Sequence, residues 1–325
     1  MRITQQGIAV IGAGLAGLSA ARVLTDAGLP VTLFDSQPRP GGRLGHEGPA
    51  DMAAQYFTAR HPAFRQATRE WQNRGWIADW TPHLYLHDHE YGLRPSSDDI
   101  QRMVAVPHMA ALAQQLRQDI PFEHCVVERL RRTTEGDWLV HAGNGTTHGP
   151  FDALVLAVPA DVAAPLLEVA PQLQQDVARV HLRPCWSVAL TFAQPLQTQV
   201  EACFVRDGPL DWLARNSSKP ARGEGEVWVV QSTSSWAERH ADSGAQEVIV
   251  ELSQAMAEVL GQPLPEPGAS QAQFWPQARP AEQLKWGALA APRLNLYVCG
   301  DWCLGGRIEN AWLSGRQAAR ALLDS

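Results

Sequence analysis

The sequence predicts an α/β protein in which a Rossmann-type dinucleotide-binding domain is interleaved with an α+β domain built on a mixed or antiparallel sheet. Two observations lead to this prediction. Near its start the chain has a strand, a glycine-rich turn, a helix and a second strand, in the order that dinucleotide-binding folds require. Residues 166–284 then change to longer strands of alternating polarity, and residues 285–325 return to the first pattern.

The first element is an apolar strand that runs directly into a Gly-x-Gly-x-x-Gly turn. Gly12 permits the tight turn, Gly14 lets the backbone approach a pyrophosphate, and Gly17 allows close packing of helix on strand. The start of the following helix presents free N–H groups and partial positive charge to the phosphates. The candidate binding residues of this turn are Gly12, Ala13, Gly14, Leu15, Ala16 and Gly17.

The second strand, residues 31–35, ends in a carboxylate. Asp35 lies about twenty residues beyond the glycines, where an acid accepts hydrogen bonds from the adenosine ribose. Ser36 follows it and is a further candidate contact. A glycine motif alone is a weak indication, but here the strand, helix, second strand and terminal acid agree.

The segment Pro40-Gly41-Gly42-Arg43 is the second specific motif. Its two glycines let the backbone pass close to a cofactor, and the Arg43 guanidinium can pair with a diphosphate. Leu44 is included with Gly42 and Arg43 as a candidate contact. An ordinary Pro/Gly turn ending in a solvated arginine is the alternative interpretation.

A third motif lies near the C-terminus, where a buried strand over residues 295–299 ends in Gly300-Asp301 and a final helix opens after Gly305-Gly306. The three motifs together resemble those of the amine oxidase and phytoene desaturase group of FAD enzymes. The resemblance implies a Rossmann-type FAD-binding domain of the glutathione reductase kind, with Asp301 near the ribityl or phosphate groups. No Ser-Gly-Gly-Cys-Tyr segment for covalent attachment is found, so noncovalent FAD is expected. The remaining candidate FAD contacts are Val127, Gly300, Asp301, Arg307 and Ile308.

Residues 50–58, Ala-Asp-Met-Ala-Ala-Gln-Tyr-Phe-Thr, resemble the A-D-x-G-A-Q-Y-x-T segment of renalases, which are small flavoproteins of this group, although Ala53 replaces the usual glycine. This resemblance implies oxidation of the 2- and 6-dihydro isomers of NAD(P)H, with hydride passing to the flavin and electrons to oxygen, giving NAD(P)+ and hydrogen peroxide. Its candidate substrate contacts are Gln55, Tyr56, Phe57, Thr58, Ala59, Arg94, Pro95, Ser96, Trp186, Ser187 and Trp275. Arg94 is the candidate for an anionic group, although a solvated arginine before a proline turn explains it equally well.

The chemistry implied by this resemblance needs no protein acid or base, because a dihydropyridine that loses hydride becomes an aromatic cation. No catalytic side chain is therefore assigned. A second Gly-x-Gly-x-x-Gly is missing, which argues against a reductase that uses ordinary NADPH. A flavin amine oxidase, a desaturase of a long apolar substrate and a non-enzymatic flavin-binding protein are the alternatives.

The bulk composition limits the possible partners. The net charge of −7 gives no electrostatic reason to expect nucleic acid or an anionic membrane, and no obligatory protein partner is indicated. The five scattered cysteines favour reduced thiols in a cytoplasm. Three histidines between residues 83 and 89 have no carboxylate or cysteine to complete a strong site, so no metal is expected.

The order of the motifs predicts a discontinuous domain organisation. Residues 1–75, 97–165 and 285–325 are expected to form the FAD-binding domain. Residues 76–96 and 166–284 are expected to form the substrate domain.

Overall fold

The computed structural model describes residues 6–45, 48 and 50–325. The strands of this part of the chain are β1 Ile8–Ile11, β2 Val31–Asp35, β3 Ile77–Trp80, β4 Leu84–Asp88, β5 Gly92–Pro95, β6 Arg102–Ala105, β7 Phe122–His124, β8 Val127–Arg132, β9 Trp138–Ala142, β10 Thr147–Phe151, β11 Ala153–Leu156, β12 Leu182–Phe192, β13 Ala202–Val205, β14 Leu210–Arg215, β15 Glu226–Ser232, β16 Ala269–Pro280, β17 Leu289–Ala291 and β18 Leu296–Val298. The α-helices are α1 Leu15–Asp26, α2 Pro62–Asn73, α3 Ala111–Arg117, α4 Ala160–Leu166, α5 Pro171–Ala178, α6 Ser234–Arg239, α7 Ala245–Leu260 and α8 Ile308–Leu323.

The first large sheet has the strand order β17-β18-β11-β1-β2-β7. Its pairs from β18 to β7 are parallel, and only β17 runs antiparallel to its neighbour. The central strand β1 is apolar throughout because both of its faces are covered: Ile8 and Val10 face one hydrophobic core, whereas Ala9 and Ile11 face another. This topology confirms the predicted α/β class and its Rossmann-type half.

Two close helix contacts seal this sheet and depend on glycine. A Cβ atom on Gly17 would lie 1.8 Å from the carbonyl oxygen of Gly12, so α1 can approach the β1 turn only without a side chain there. A Cβ atom on Gly315 of α8 would lie 2.0 Å from the carbonyl oxygen of Ala16. The first and last helices of the chain therefore pack backbone against backbone.

The second large sheet has the order β16-β12-β15-β14-β13-β4-β5. Its strands alternate between two faces, as the period of two requires. On β12, Trp186 and Val188 join the core that also contains residues of α7, whereas Ala189 packs with Met52 in a small cluster on the other side. One face of this sheet is thus covered by helix, and the other faces the segment that precedes α2.

The predicted domain boundaries stay predictions. The segment that carries β4 and β5 joins the sheet of β12–β16, which agrees with grouping residues 76–96 with the middle of the chain. β3 nevertheless pairs with β6 across the predicted boundary at residue 96, and Ile77 and Trp80 lie in the core that contains α1. No helix within the described residues is both long and apolar enough to cross a membrane.

Candidate active site

A cavity of about 650 Å³ lies between the carboxyl ends of the parallel strands and the seven-stranded sheet. Gly12 follows β1, Asp35 ends β2 and Ala157 follows β11, so this side of the cavity is the edge at which open α/β sheets bind ligands. The opposite side is lined by residues of β12, β15 and β16, of which Gln231 is one. Both large sheets therefore contribute to one site.

The glycine turn leaves room for a ligand at one of its positions. Gly12 has a φ of 103°, and a Cβ atom there would lie 2.6 Å from the carbonyl oxygen of Ala157, so this glycine is required by the fold itself. Gly14 is different, because a Cβ atom there would meet no protein atom within 4 Å although the residue lines the cavity. The space in front of Gly14 and the N-terminus of α1 fits a pyrophosphate.

Asp35 stands at the cavity edge with its carboxylate fixed by the backbone. One oxygen accepts a hydrogen bond from the N–H of Ala13 at 2.6 Å, and the other accepts from the N–H of Gln37 at 2.8 Å. The acid is thereby tied to the glycine turn, in the arrangement that brings a ribose-binding carboxylate beside the phosphate turn.

Two motifs that lie 258 residues apart in the chain meet in the lining of the cavity. The Arg43 guanidinium forms a two-point ion pair with the Asp301 carboxylate, in which Nη1 lies 3.1 Å from Oδ2. The Asp301 side chain is 10% exposed and that of Arg43 is 32% exposed. Arg43 also donates to the carbonyl oxygen of Ala278 at 3.3 Å, so it joins the C-terminal motif to the end of β16.

Arg307 has backbone strain at the start of α8. It follows Gly305 and Gly306 with a φ of 84° and a ψ of 152°, a region populated almost only by glycine. Its side chain is exposed and lines the cavity. The strain directs the chain into α8 at the point where Ile308 also reaches the cavity.

Most of the predicted cofactor residues line this cavity. The exceptions are Ala13, which contributes its N–H to Asp35, and Gly17, which lies beneath the turn. Those in the lining are Gly12, Gly14, Leu15, Ala16, Asp35, Ser36, Gly42, Arg43, Leu44, Val127, Gly300, Asp301, Arg307 and Ile308.

The substrate side of the cavity contains several amides and one indole. On β16, every residue from position 273 to 279 lines the cavity, and the polar or indole members of this run are Gln273, Trp275, Gln277 and Arg279. Gln231 of β15 lies beside them. The carboxylates among the described lining residues are Asp35 and Asp301, both on the nucleotide side. The substrate side thus contributes a cationic and neutral polar lining.

On the substrate side of the cavity, Arg279 forms an ion pair with an acidic neighbour, Asp211. Its Nη1 atom lies 2.8 Å from Oδ2 of Asp211, and both side chains are 44% exposed. Burial opposes its charge, but Asp211 outweighs that effect and raises the pKa of Arg279. The Cys185 thiol faces the same region, and burial raises the pKa of this thiol, so it is a neutral donor rather than a thiolate.

The segment that resembles renalases lines the cavity with Ala53, Ala54 and Gln55, and its backbone is held from the substrate side. The Nε1 atom of Trp275 donates to the carbonyl of Met52 at 3.1 Å, and the Nε2 atom of Gln231 donates to the carbonyl of Ala53 at 2.7 Å. Ser187 does not line the cavity but contacts Gln231 at 3.3 Å. Gln55 and Trp275 are therefore the predicted substrate contacts that the structure brings together in the lining.

The four residues after Gln55 do not follow it into the cavity. Tyr56 packs against the rings of Trp80 and Trp212, and Phe57 is buried in the core. Thr58 and Ala59 are likewise outside the lining. The prediction of a continuous substrate-contacting segment over residues 55–59 is corrected here, because the chain leaves the cavity to pair with Met103.

Arg94, Pro95 and Ser96 also lie away from the cavity, on the outer edge of the seven-stranded sheet. β5 forms a hairpin with β4 at the far end of the strand order, opposite β16. Arg94 forms an ion pair with Asp88 within this hairpin. The prediction of these residues as substrate contacts is therefore wrong, since six strand positions separate β5 from the β16 edge that lines the site.

The prediction of Trp186 as a substrate contact is also corrected, because Trp186 does not line the cavity. It is one residue away from Cys185, which lines the cavity, so its ring points to the other face of β12. There it packs against Phe274 with ring centroids 4.9 Å apart, and its Nε1 atom donates to the carbonyl of His240. Its position in the chain was close to the site, but its strand face was the wrong one.

Some lining residues were not predicted from the sequence: Cys185, Gln231 and the polar residues Gln273, Gln277 and Arg279 of β16. A usable indication was present in the last case, because Gln273, Gln277 and Arg279 recur with a period of two around Trp275. The contribution of Gln231 could not be anticipated, since it depends on which strands become neighbours. Groups of three or more potential metal ligands were not found among the described residues.

The fold and this cavity define a class of protein: a Rossmann-type dinucleotide-binding protein with a second sheet closing its ligand site. Two family models match the chain. The model for the NAD(P)-binding Rossmann-like domain covers residues 10–71, and that for flavin containing amine oxidoreductase covers residues 78–323. The chain belongs to the flavin containing amine oxidoreductase family, which implies a flavin cofactor, FAD.

The curated relative reported first matches only a small part of the sequence, whereas two solved structures share the fold over nearly the whole chain. A homolog of the NAD-dependent dihydropyrimidine dehydrogenase subunit PreT from Salmonella typhi is 51% identical over 47 residues, which is 14% of this chain and 11% of that protein. Cyclohexylamine oxidase from Brevibacterium oxydans IH-35A superposes with a TM-score of 0.79 at 13% identity, covering 98% of this chain and 99% of that one. A cofactor-redesigned double mutant of putrescine oxidase gives a TM-score of 0.75 at 12% identity, covering 98% and 99%.

The residues present fit FAD. The open space at Gly14 suits the diphosphate, and Asp35 suits the adenosine ribose. The Arg43–Asp301 pair and the start of α8 lie further along the same cavity. These groups would hold the cofactor along the cavity's length.

Proposed function

We propose that this protein is an FAD-dependent oxidase of the 2- and 6-dihydro isomers of NAD(P)H, with FAD held noncovalently. The net reaction converts the dihydronicotinamide, a proton and oxygen into NAD(P)+ and hydrogen peroxide. When bound, FAD supplies a hydride acceptor at its N5 atom. Small-molecule substrate and oxygen suffice, and no protein partner is required.

The observation that carries the proposal is the lining of the substrate side. A cationic amine is best recognised by a carboxylate, yet on this side the described lining offers the amides of Gln55, Gln231, Gln273 and Gln277 and the Arg279 guanidinium. Amides can exchange hydrogen bonds with the carboxamide of a nicotinamide, and a guanidinium suits its anionic tail. The site is therefore matched to a neutral ring that carries phosphate.

The side chains would act by binding and orientation. Trp275 is fixed by its hydrogen bond to the carbonyl of Met52, which presents a rigid aromatic surface in the cavity. Gln231 is fixed in the same way by Ala53. Because the donor becomes an aromatic cation when it loses hydride, no side chain needs to remove a proton from carbon. Correct placement of the ring is the main requirement, since a misplacement of about 1 Å can lower the rate roughly a hundredfold.

The second candidate function is oxidation of a small neutral or cationic amine. Membership of the flavin containing amine oxidoreductase family favours it. The absence of a carboxylate from the described lining of the substrate side argues against a polycationic amine in particular.

Anaerobic mixing of the holoprotein with a panel of donors decides between these functions. The 2- and 6-dihydro isomers should bleach the flavin absorbance far faster than ordinary NADH, and oxygen should restore the spectrum with formation of peroxide. Bleaching by a primary or secondary amine, with no response to the isomers, would establish the amine oxidase instead. A flavin that resists both would indicate a non-enzymatic flavin-binding protein.

A further inference from the structure

A buried charge cluster lies immediately behind the cavity and is not explained by the hydride-transfer chemistry. It is formed by Asp51, Lys219 and Arg222, with side chains 2%, 0% and 3% exposed respectively. Lys219 is one of only two lysines in the chain, the other being Lys285, against 25 arginines. A lysine in a chain this rich in arginine, placed where water does not reach, is an unusual choice.

Charge neutralisation does not explain Lys219. Arg222 already contacts the Asp51 carboxylate through Nε at 3.0 Å and Nη2 at 2.8 Å, and the N–H of Met109 donates to the other oxygen at 2.9 Å. Lys219 adds a second buried cation beside one anion, and the desolvation of that cation is unfavourable. The burial of Lys219 is therefore explained by a contact that Arg222 does not make.

That contact is with Gln55. The Nζ atom of Lys219 lies 3.1 Å from Oδ2 of Asp51 and 3.2 Å from Oε1 of Gln55. Gln55 lines the cavity, and its Nε2 atom donates to the carbonyl oxygens of Asp51 and Ala53. The ammonium thus fixes which end of the carboxamide is the acceptor, and the loop carbonyls fix the donor end.

We propose that Lys219 is a positioning residue of the flavin site, which orients the Gln55 carboxamide and holds the loop of residues 51–55 against the cavity. The contacts of Trp275 with Met52 and of Gln231 with Ala53 hold the same loop from the cavity side. Lys219 holds it from behind. The proposal does not depend on which donor reduces the flavin.

The ionisation of Lys219 gives this role a measurable signature. Burial lowers the pKa of Lys219 to about 8, and the Arg222 guanidinium acts in the same direction while Asp51 opposes it. Asp51 and Arg222 are the charged groups that face the amine, and the centroid of the Trp80 ring lies 5.5 Å from Nζ. Loss of the proton weakens the hold on Gln55, so the surroundings of the flavin should change near this pH.

The test compares holoprotein of four variants with the parent: Lys219→Met, Lys219→Arg, Gln55→Leu and the matched control Lys285→Met at an exposed position. The visible spectrum of bound flavin is recorded from pH 6.5 to 9.5, and FAD release is followed after dilution. The parent and Lys285→Met should share a spectral transition near pH 8. Lys219→Met, Lys219→Arg and Gln55→Leu should lack it, and Lys219→Met should release FAD about tenfold faster, as expected for loss of a charge-assisted hydrogen bond.

A merely structural lysine would give a different result. Lys219→Met would then unfold at lower temperature but keep the parent's spectral transition and FAD release, and that outcome overturns the proposal. If Lys219→Met does not fold, Lys219→Arg and Gln55→Leu decide, because a transition that persists in both also overturns it.

Discussion

The two sides of the cavity are built by different means. The nucleotide side uses backbone: the free space at Gly14, the N–H of Ala13 that fixes Asp35, and the strained turn before α8. The substrate side uses side chains carried by strands, such as Gln273 and Trp275 of β16. The first kind of site needs particular residues at fixed spacing, whereas the second needs only the right face of the right strand. Sequence motifs therefore report the cofactor far better than the substrate.

The largest expected effect tests the backbone side. Gly14→Val should reduce FAD affinity by about tenfold to a hundredfold, since the added side chain projects into space that only a ligand would occupy. The backbone at Gly14, with a φ of −70° and a ψ of 177°, accepts a β-branched residue, so the fold should persist. Flavin absorbance after gel filtration measures occupancy, and circular dichroism checks the fold.

Gly244→Val is the matched control for that substitution. Gly244 has a similar extended backbone, also has no atom within 4 Å of a Cβ position, and lies before α7 on the far side of the second sheet. Its flavin occupancy should equal that of the parent. Equal occupancy in Gly14→Val would show that the space at Gly14 is not a phosphate site.

The next effect tests the Arg43–Asp301 ion pair, which joins the second sequence motif to the C-terminal motif. Arg43→Ala leaves the largely buried Asp301 carboxylate without its guanidinium and should lower the free energy of unfolding by about 1–3 kcal/mol. It should also release FAD on dilution. Urea unfolding and flavin occupancy measure the two consequences, with the exposed Arg293→Ala as control. A variant that keeps both properties of the parent would remove Arg43 from the cofactor site.

A smaller effect should appear on the substrate side. Arg279→Ala should raise the half-saturating concentration of the best dihydronicotinamide about tenfold, as loss of one charged contact does, with FAD occupancy retained. Arg94→Ala should leave that concentration within about twofold, because its ion pair with Asp88 lies on the hairpin at the opposite edge of the sheet from β16. Steady-state titrations of both variants provide the comparison. The reverse pattern would restore Arg94 to the site and remove Arg279.

The last comparison concerns stability and pH. Folded Lys219 loses its proton near pH 8, whereas the unfolded chain keeps it until about pH 10.5. Between these values the unfolded state binds more protons, so this lysine adds to the free energy of unfolding as the pH rises. In urea titrations, the free energy of unfolding of the parent minus that of Lys219→Met should therefore increase from pH 8 to 10. The free energy of unfolding of Lys285→Met should change with pH as that of the parent does. A constant difference for Lys219→Met would contradict the lowered pKa.

The same contrast explains how much the sequence could predict. The α/β class and the strand-turn-helix order followed from β1 to β2, because glycine spacing and a terminal acid are local properties. The meeting of Arg43 with Asp301 could be expected only from the family resemblance, since it joins residues 258 apart. The prediction of Trp186 as a substrate contact failed because the position of a residue along a strand does not reveal which face it occupies until the neighbouring strands are known.

The prediction of Arg94 as a substrate contact failed for a related reason. Its distance from the cavity depends on the order of seven strands, and β5 occupies the outer edge opposite β16. The cluster of Asp51, Lys219 and Arg222 was equally hidden, because charged residues in a sequence are expected at the surface. Long-range pairing decides both cases, and nothing local in the chain indicates it.

The backbone contact between α1 and α8 has a consequence for biosynthesis. Ala16 meets Gly315 directly, so the helix that opens the cofactor site waits for a partner made about 300 residues later. At ordinary rates of translation that delay is roughly 15 to 60 seconds. During this interval the apolar faces of β1 and α1 need protection from aggregation. Loading of FAD should therefore follow synthesis of α8, and a chain truncated before α8 should yield insoluble protein rather than a weakened flavoprotein.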